Sequence, residues 1–114
     1  MIYRIEHEAT WRRARPTGTY VPDDFETEGF IHCSAMDEIA GVANAVYHGQ
    51  ADLVLLCIRQ DLLTSEVRWE TSGNRSYPHI YGPLNVEAVC AVMPFPCKPD
   101  GSFAVPADIP EETG

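Results

Sequence analysis

The alternation of apolar and polar positions marks out most of the elements of this chain. Met1 to Ile5 is rich in branched and aromatic residues and predicts a first strand, after which Thr10 caps a short helix through Arg15 that Pro16 and Gly18 end. Residues 17 to 28 mix Gly, Pro and acids and read as a loop or short extended pieces leading to a strand over Gly29 to Cys33. Ser34 with Asp37 three residues on resembles a capping box, and Ile39, Val42, Ala43, Val46 and Tyr47 then recur at helical spacing up to Gly49. Leu53 to Ile58 is a continuous apolar run, which predicts a central strand covered on both faces.

Further along, Glu66 to Glu70 alternates, so Val67 and Trp69 are expected to face inward and Arg68 and Glu70 outward. A loop over Thr71 to Ser76 separates this strand from an extended segment around His79 with Pro78 and Pro83 at its ends. Val86 to Met93 reads as one more strand, and Asp100-Gly101 as a turn before Phe103. Strands outnumber helices and cluster late, which predicts an α+β domain over residues 1–105, followed by a fraying tail over 106–114.

Composition narrows what such a domain can do. Its 114 residues, 45% of them hydrophobic, suffice for one core without disulfide or metal support. A net charge of -9, with Lys98 the one lysine, argues against extended nucleic-acid binding, which depends on neutralising phosphates. Arg12, Arg13 and Arg15 are grouped, and a solvated helix face explains them better than an anion site. Charge appears too early for a secretory leader, and no apolar run approaches the roughly 20 residues of a membrane span, so a soluble cytoplasmic protein is expected. Cys33, Cys57, Cys90 and Cys97 form no Cys-x-x-Cys pair and read as buried reduced thiols; His32, Cys33, His79 and Cys97 match no common zinc spacing, so no metal is expected.

Candidate chemistry gathers in two runs, Gly29-Phe30-Ile31-His32-Cys33-Ser34 and Tyr77-Pro78-His79-Ile80-Tyr81-Gly82-Pro83-Leu84. In extended backbone His32 and Ser34 share one face and the same parity puts His79 and Tyr81 together, which gives one candidate face for a shared cleft, while Cys33 points with Ile31 into the core and leaves the chemistry. An imidazole beside a hydroxyl can exchange hydrogen bonds with a sugar, a phosphate or a carbonyl. Glu70 is a candidate base or orienting group, an ion pair with Arg68 being the blander alternative, and Trp11, Tyr20, Tyr47 and Trp69 are candidates to stack on a planar ring or to fill the core. His7 and His48 read as structural or exposed. Dinucleotide fingerprints, phosphate-binding loops and nucleophile elbows are absent from the sequence.

These motifs resemble a bacterial family known as Domain of Unknown Function 952. The likeness runs through Ile2-Tyr3, Trp11, Gly18-x-Tyr20, Glu28 to Ser34, Asn44, Leu53 to Leu56, Glu70, Pro78 to Leu84 and Asp100-Gly101-x-Phe103. It implies an ADP-ribosyltransferase-like fold, a split and bent β-sheet with a few short helices, whose cleft takes NAD or an ADP-ribose-like ligand. On that resemblance His32, His79 and Glu70 are the catalytic candidates, with Arg4, Ser34, Tyr81, Trp11 and Tyr20 contacting a small anionic nucleotide-like molecule. Where the family usually has histidine after its first tyrosine, this chain has Arg4, a donor without acceptor capacity. The alternative is a non-enzymatic module, binding or structural, in which the histidine motifs stabilise the fold.

Overall fold

A computed structural model describes residues 1–111. At its centre β4 (Leu53–Ile58) lies between β1 (Ile2–His7) and β8 (Val89–Pro94), antiparallel to both. All six residues of β4 are buried, as a strand with no polar face requires. Alternate side chains feed two cores. Ile2, Val54, Leu56 and Ile58 join Trp11, Ile31, Ile80 and Leu84 on one side, while Tyr3, Ile5, Leu55 and Cys57 join Ile39, Ala43, Phe95 and Phe103 on the other.

Two further sheets, one of two strands and one of three, complete the architecture. β2 (Thr19–Tyr20) pairs with β7 (Leu84–Asn85), and β6 (Arg75–Tyr81) runs between β3 (Ile31–His32) and β5 (Glu66–Ser72). The central sheet meets the third through a bridge in which the Tyr3 and Ser34 backbones exchange hydrogen bonds of 2.9 and 2.8 Å. Helices α1 (Glu8–Ala14), α2 (Phe25–Glu28) and α3 (Ile39–Val46) are short, and the α+β expectation stands. Among the described residues no helix is long and apolar enough to cross a membrane.

Several local readings change. The first helix starts at Glu8, straight off the strand, because the Asp52 carbonyl accepts its first amide at 2.8 Å; Thr10 caps nothing. Ser34 is occupied by the bridge to Tyr3, and the amide before α3 is satisfied one residue later, where Ala35 N–H donates to Glu38 Oε1 at 2.8 Å. The loop expected over Thr71 to Ser76 shrinks to a two-residue hairpin, with Gly73 at φ 67° supplying the left-handed position. Val86 to Met93 is broken by a 3₁₀ turn over Val86–Ala88.

Pro78 lies inside β6 rather than at its end. Its carbonyl accepts from Cys33 N–H at 3.0 Å, so its nitrogen faces that same side, where pairing with β3 ends. The missing donor therefore removes no bond to β5. Trp69 takes the same face as Val67 but is left 48% exposed, because β5 forms the edge of its sheet; only Val67 is half-buried against the core. Within the tail expected to fray, Ile109 packs on the core and the Tyr3 hydroxyl donates to the Pro110 carbonyl at 2.6 Å. The remaining positions of that expectation, 112–114, lie outside the described residues.

These burials differ enough to be tested by substitution. Leu56→Ala should cost about 2–5 kcal/mol in chemical denaturation, the cost of a cavity in a two-sided core, whereas Trp69→Ala should cost less than about 1 kcal/mol.

Candidate functional site

The antiparallel register of β3 with β6 sets His32 directly opposite His79, and their rings meet edge-on with centroids 5.1 Å apart. Phe30, just before β3, stacks on the His79 ring at 4.1 Å and tilts against His32 at 4.6 Å and Tyr81 at 5.3 Å. Strand parity brings Glu70 of β5 to the same face. Its Oε1 accepts from the Tyr81 hydroxyl and from His79 Nδ1, the latter at 2.8 Å.

These bonds assign the tautomer of His79. A carboxylate accepts, so Nδ1 carries the proton and Nε2 of the neutral ring is left as a base or acceptor. The hydrogen bonds from Tyr81 and then from His79 hold the Glu70 carboxyl below the usual carboxylate range. Arg68 lies over the Tyr81 ring at 4.3 Å and pairs with Glu66 at 2.8 Å, so the expected Arg68–Glu70 pair is replaced by two others. The two histidines differ in access, since the His79 side chain is 13% exposed and that of His32 49%. Burial and the neighbouring His79 keep the His32 imidazole below its ordinary pKa, against the pull of Glu28.

Below them lies Arg4, buried on β1. Its Nε donates to the Tyr20 hydroxyl at 3.0 Å, Nη1 to the His32 carbonyl at 3.1 Å and Nη2 to Glu6 Oε1 at 3.5 Å. The Tyr20 hydroxyl donates to the same Glu6 oxygen, and Glu6 Oε2 accepts from the His7 amide at 2.7 Å. Burial opposes the Arg4 charge, but the surrounding Tyr20 and Glu6 oxygens outweigh it and raise its pKa. Tyr20 is pushed up as well, first by burial, and stays a neutral phenol.

A cleft of about 480 Å³ opens over Arg4, His32, Ser34 and His79, so the structure brings four of the sequence candidates together. Glu70 and Tyr81 do not line it; they stand behind His79. Trp11 and Tyr20 are in the core, edge-to-face at 6.0 Å, and with Tyr20 0% exposed neither can stack on a ligand. The cleft is completed by Tyr47 after α3, one of the aromatics that could stack on a ring, and by four residues with no site role assigned from the sequence: Asp24 and Glu28 at α2, and Ser72 and Tyr77 on the hairpin. Two of them carry a signal in the sequence, since Tyr77 has the parity of His79 and Glu28 stands four residues before His32. Among the described residues no group of three His, Cys, Asp or Glu side chains is already arranged around a metal position.

Two measurements check this site. Glu6→Ala strands a buried guanidinium and should cost about 3–5 kcal/mol in thermal or denaturant unfolding, far more than Glu66→Ala at the surface. Burial pushes the Cys33 thiol up to about 12, and burial followed by the nearby Cys90 does the same to Cys57. Exposed Cys90 should therefore react first with a thiol reagent at pH 8, while Cys33 and Cys57 react only as the chain unfolds.

Comparison with known proteins gives the family of this site and no activity for it. The crystal structure of protein CC0527 from Caulobacter crescentus matches with a TM-score of 0.83 at 33% identity, covering 90% of this chain and 92% of that one. A double mutant of the same protein matches with the same score at 32% identity, and the solution NMR structure of CC0527 with 0.78 at 34% identity, over 90% of each chain. No curated protein matches the chain significantly. The model of the family described as "Protein of unknown function (DUF952)" matches residues 5–92, and the chain belongs to that family.

Proposed function

We propose that the cleft binds a small nucleotide-like ligand of the NAD or ADP-ribose kind. The observation that carries this reading is the Glu70–His79 pair, which turns a fixed imidazole Nε2 toward a 480 Å³ cleft floored by Arg4. With three of its five N–H groups engaged, Arg4 has two left for a phosphate or ribose oxygen. Asp24 and Glu28 also line the cleft and repel anions from their side of it, so the phosphates of the ligand belong at Arg4 and a hydroxyl-bearing or uncharged part at the histidines. Tyr77 and Tyr47 offer the aromatic surface that Trp11 and Tyr20 do not.

In this reading Glu70 orients His79, and His79 exchanges a proton with a ligand hydroxyl or water, with His32 as its neighbour on the solvent side. The ADP-ribosyltransferase-like reading of the fold draws support from the way the two three-stranded sheets separate beyond the Tyr3–Ser34 bridge, with the cleft at the seam. A cytoplasmic setting fits four unpaired cysteines and a metabolite ligand of this kind.

Ligand-observed NMR with NAD, ADP-ribose, mononucleotides and phosphorylated sugars tests the reading. Binding should weaken about 10- to 100-fold in His32→Ala and in Arg4→Lys, the loss of one hydrogen bond to a charged group. Release of nicotinamide from NAD would mark turnover, and binding without release would mark a binding module. Equal signals from wild type and a folded His32→Ala/His79→Ala variant would instead assign the motifs to fold stability alone.

A further inference from the structure

We propose that two copies of this chain pair antiparallel along β5, about a two-fold axis at Trp69, so that their β3-β6-β5 sheets join into one. β5 is the open edge of that sheet. The Pro78 carbonyl points toward β3, where it accepts from Cys33 N–H, so Trp69, opposite Pro78 in the register, turns its own N–H and C=O away from β6. Strand parity gives Val67 and Thr71 the same orientation. Among the described residues nothing in the chain bonds these outward amides and carbonyls, and a row of such groups is a template for another strand.

The sequence of β5 selects a second copy as that strand. With Trp69 opposite its own copy, all seven residues of Glu66–Ser72 are paired, Val67 with Thr71 and Arg68 with Glu70, and the same pairs recur on the other side of the axis. The outward groups of residues 67, 69 and 71 then form about six hydrogen bonds, and Arg68 and Glu70 fall in the non-hydrogen-bonded pairs, where side chains approach most closely. Moving the axis by one residue sets Arg68 against Arg68 or Glu70 against Glu70, which is destabilising. Moving it by two puts Trp69 opposite Ser65 or Gly73 and leaves part of the strand unpaired. Only the register centred on Trp69 joins full overlap to matched charges.

The same register accounts for the exposed indole. Trp69, 48% exposed in the single chain, meets its own copy across the axis and the two rings cover each other. The other long edge, β8, offers no such match: its pairing with β4 shifts register at Cys57/Ile58, it ends in Pro94 and it carries no charged residue. Pairing along β5 also reaches the cleft. Arg68 of the partner subunit meets Glu70, the carboxylate that orients His79, and Glu66 of the partner subunit comes opposite Ser72 on the cleft wall.

Sedimentation of the full chain between about 10 µM and 1 mM, in enough salt to screen the net charge of -9 on each copy, tests the pairing. Monomer should give way to dimer over that range. Tryptophan emission should move to shorter wavelength in step, because Trp11 is already buried and Trp69 is the other of the two tryptophans. Thr71→Pro, which deletes an outward amide and no bond to β6, and Arg68→Glu, which opposes like charges, should each weaken association about tenfold or more. Val92→Lys on β8 should leave it unchanged. In a Cys90→Ser background, Trp69→Cys should give an intermolecular disulfide on mild oxidation, whereas Thr71→Cys, about 14 Å from its copy in this register, should give none. A chain that stays monomeric at the highest concentration, a dimer that survives both Thr71→Pro and Arg68→Glu, one that is lost in Val92→Lys, or the reverse disulfide pattern overturns the proposal. The pairing does not rest on the nucleotide reading, so either can fail while the other holds.

Discussion

One buried guanidinium joins the three sheets of this domain. Arg4 belongs to the central sheet, its Nε reaches Tyr20 in the second and its Nη1 reaches the His32 carbonyl in the third. Burying a full charge is costly, and the cost is offset only when opposite charge and hydrogen bonds surround it. Glu6, two residues away on the same strand face, supplies that charge, and its other oxygen is used by the His7 amide. No buried side-chain nitrogen or oxygen among the described residues lacks a partner. The sheets are thus held in one relative placement by directional contacts, while the apolar contacts around them are less particular about angle.

That arrangement explains how a polar cleft can open beside a dense core. Ile31 and Cys33 turn into the core while His32 between them turns out, and Ile80 does the same beside His79 and Tyr81. The site needs no loop of its own; it is the outward parity of strands whose inward parity builds the fold. Glu70 serves twice in this scheme, as a cross-strand partner that orders the edge strand β5 and as the group that orients His79.

Legibility in the sequence follows the range of the interactions. The buried central strand and the outward parity of His32 with Ser34, and of His79 with Tyr81, are readable because both depend only on spacing along the chain; that the two pairs meet depends on the pairing of β3 with β6. Trp69 defeats its own pattern because alternation reports which face a side chain takes, not whether the core extends far enough to cover it. Trp11 and Tyr20 carry no local sign that they bury against each other, and the capping of α3 shifts because Ser34 is committed to Tyr3, a partner far back in the chain. The four-residue helix α2, which brings Glu28 to the cleft, is too short to show a periodicity. Arg4 is visible as a departure from the family's usual histidine, but its place as the meeting point of three sheets depends on tertiary partners.

Tyr3 also links two regions that are far apart in the chain. Its backbone forms the bridge to Ser34 at the cleft, and its hydroxyl binds the Pro110 carbonyl. The carboxyl-terminal segment is therefore mechanically continuous with the wall of the cleft through one side chain. Cutting the chain before Pro110, or fusing a bulky partner there, acts on that wall from behind.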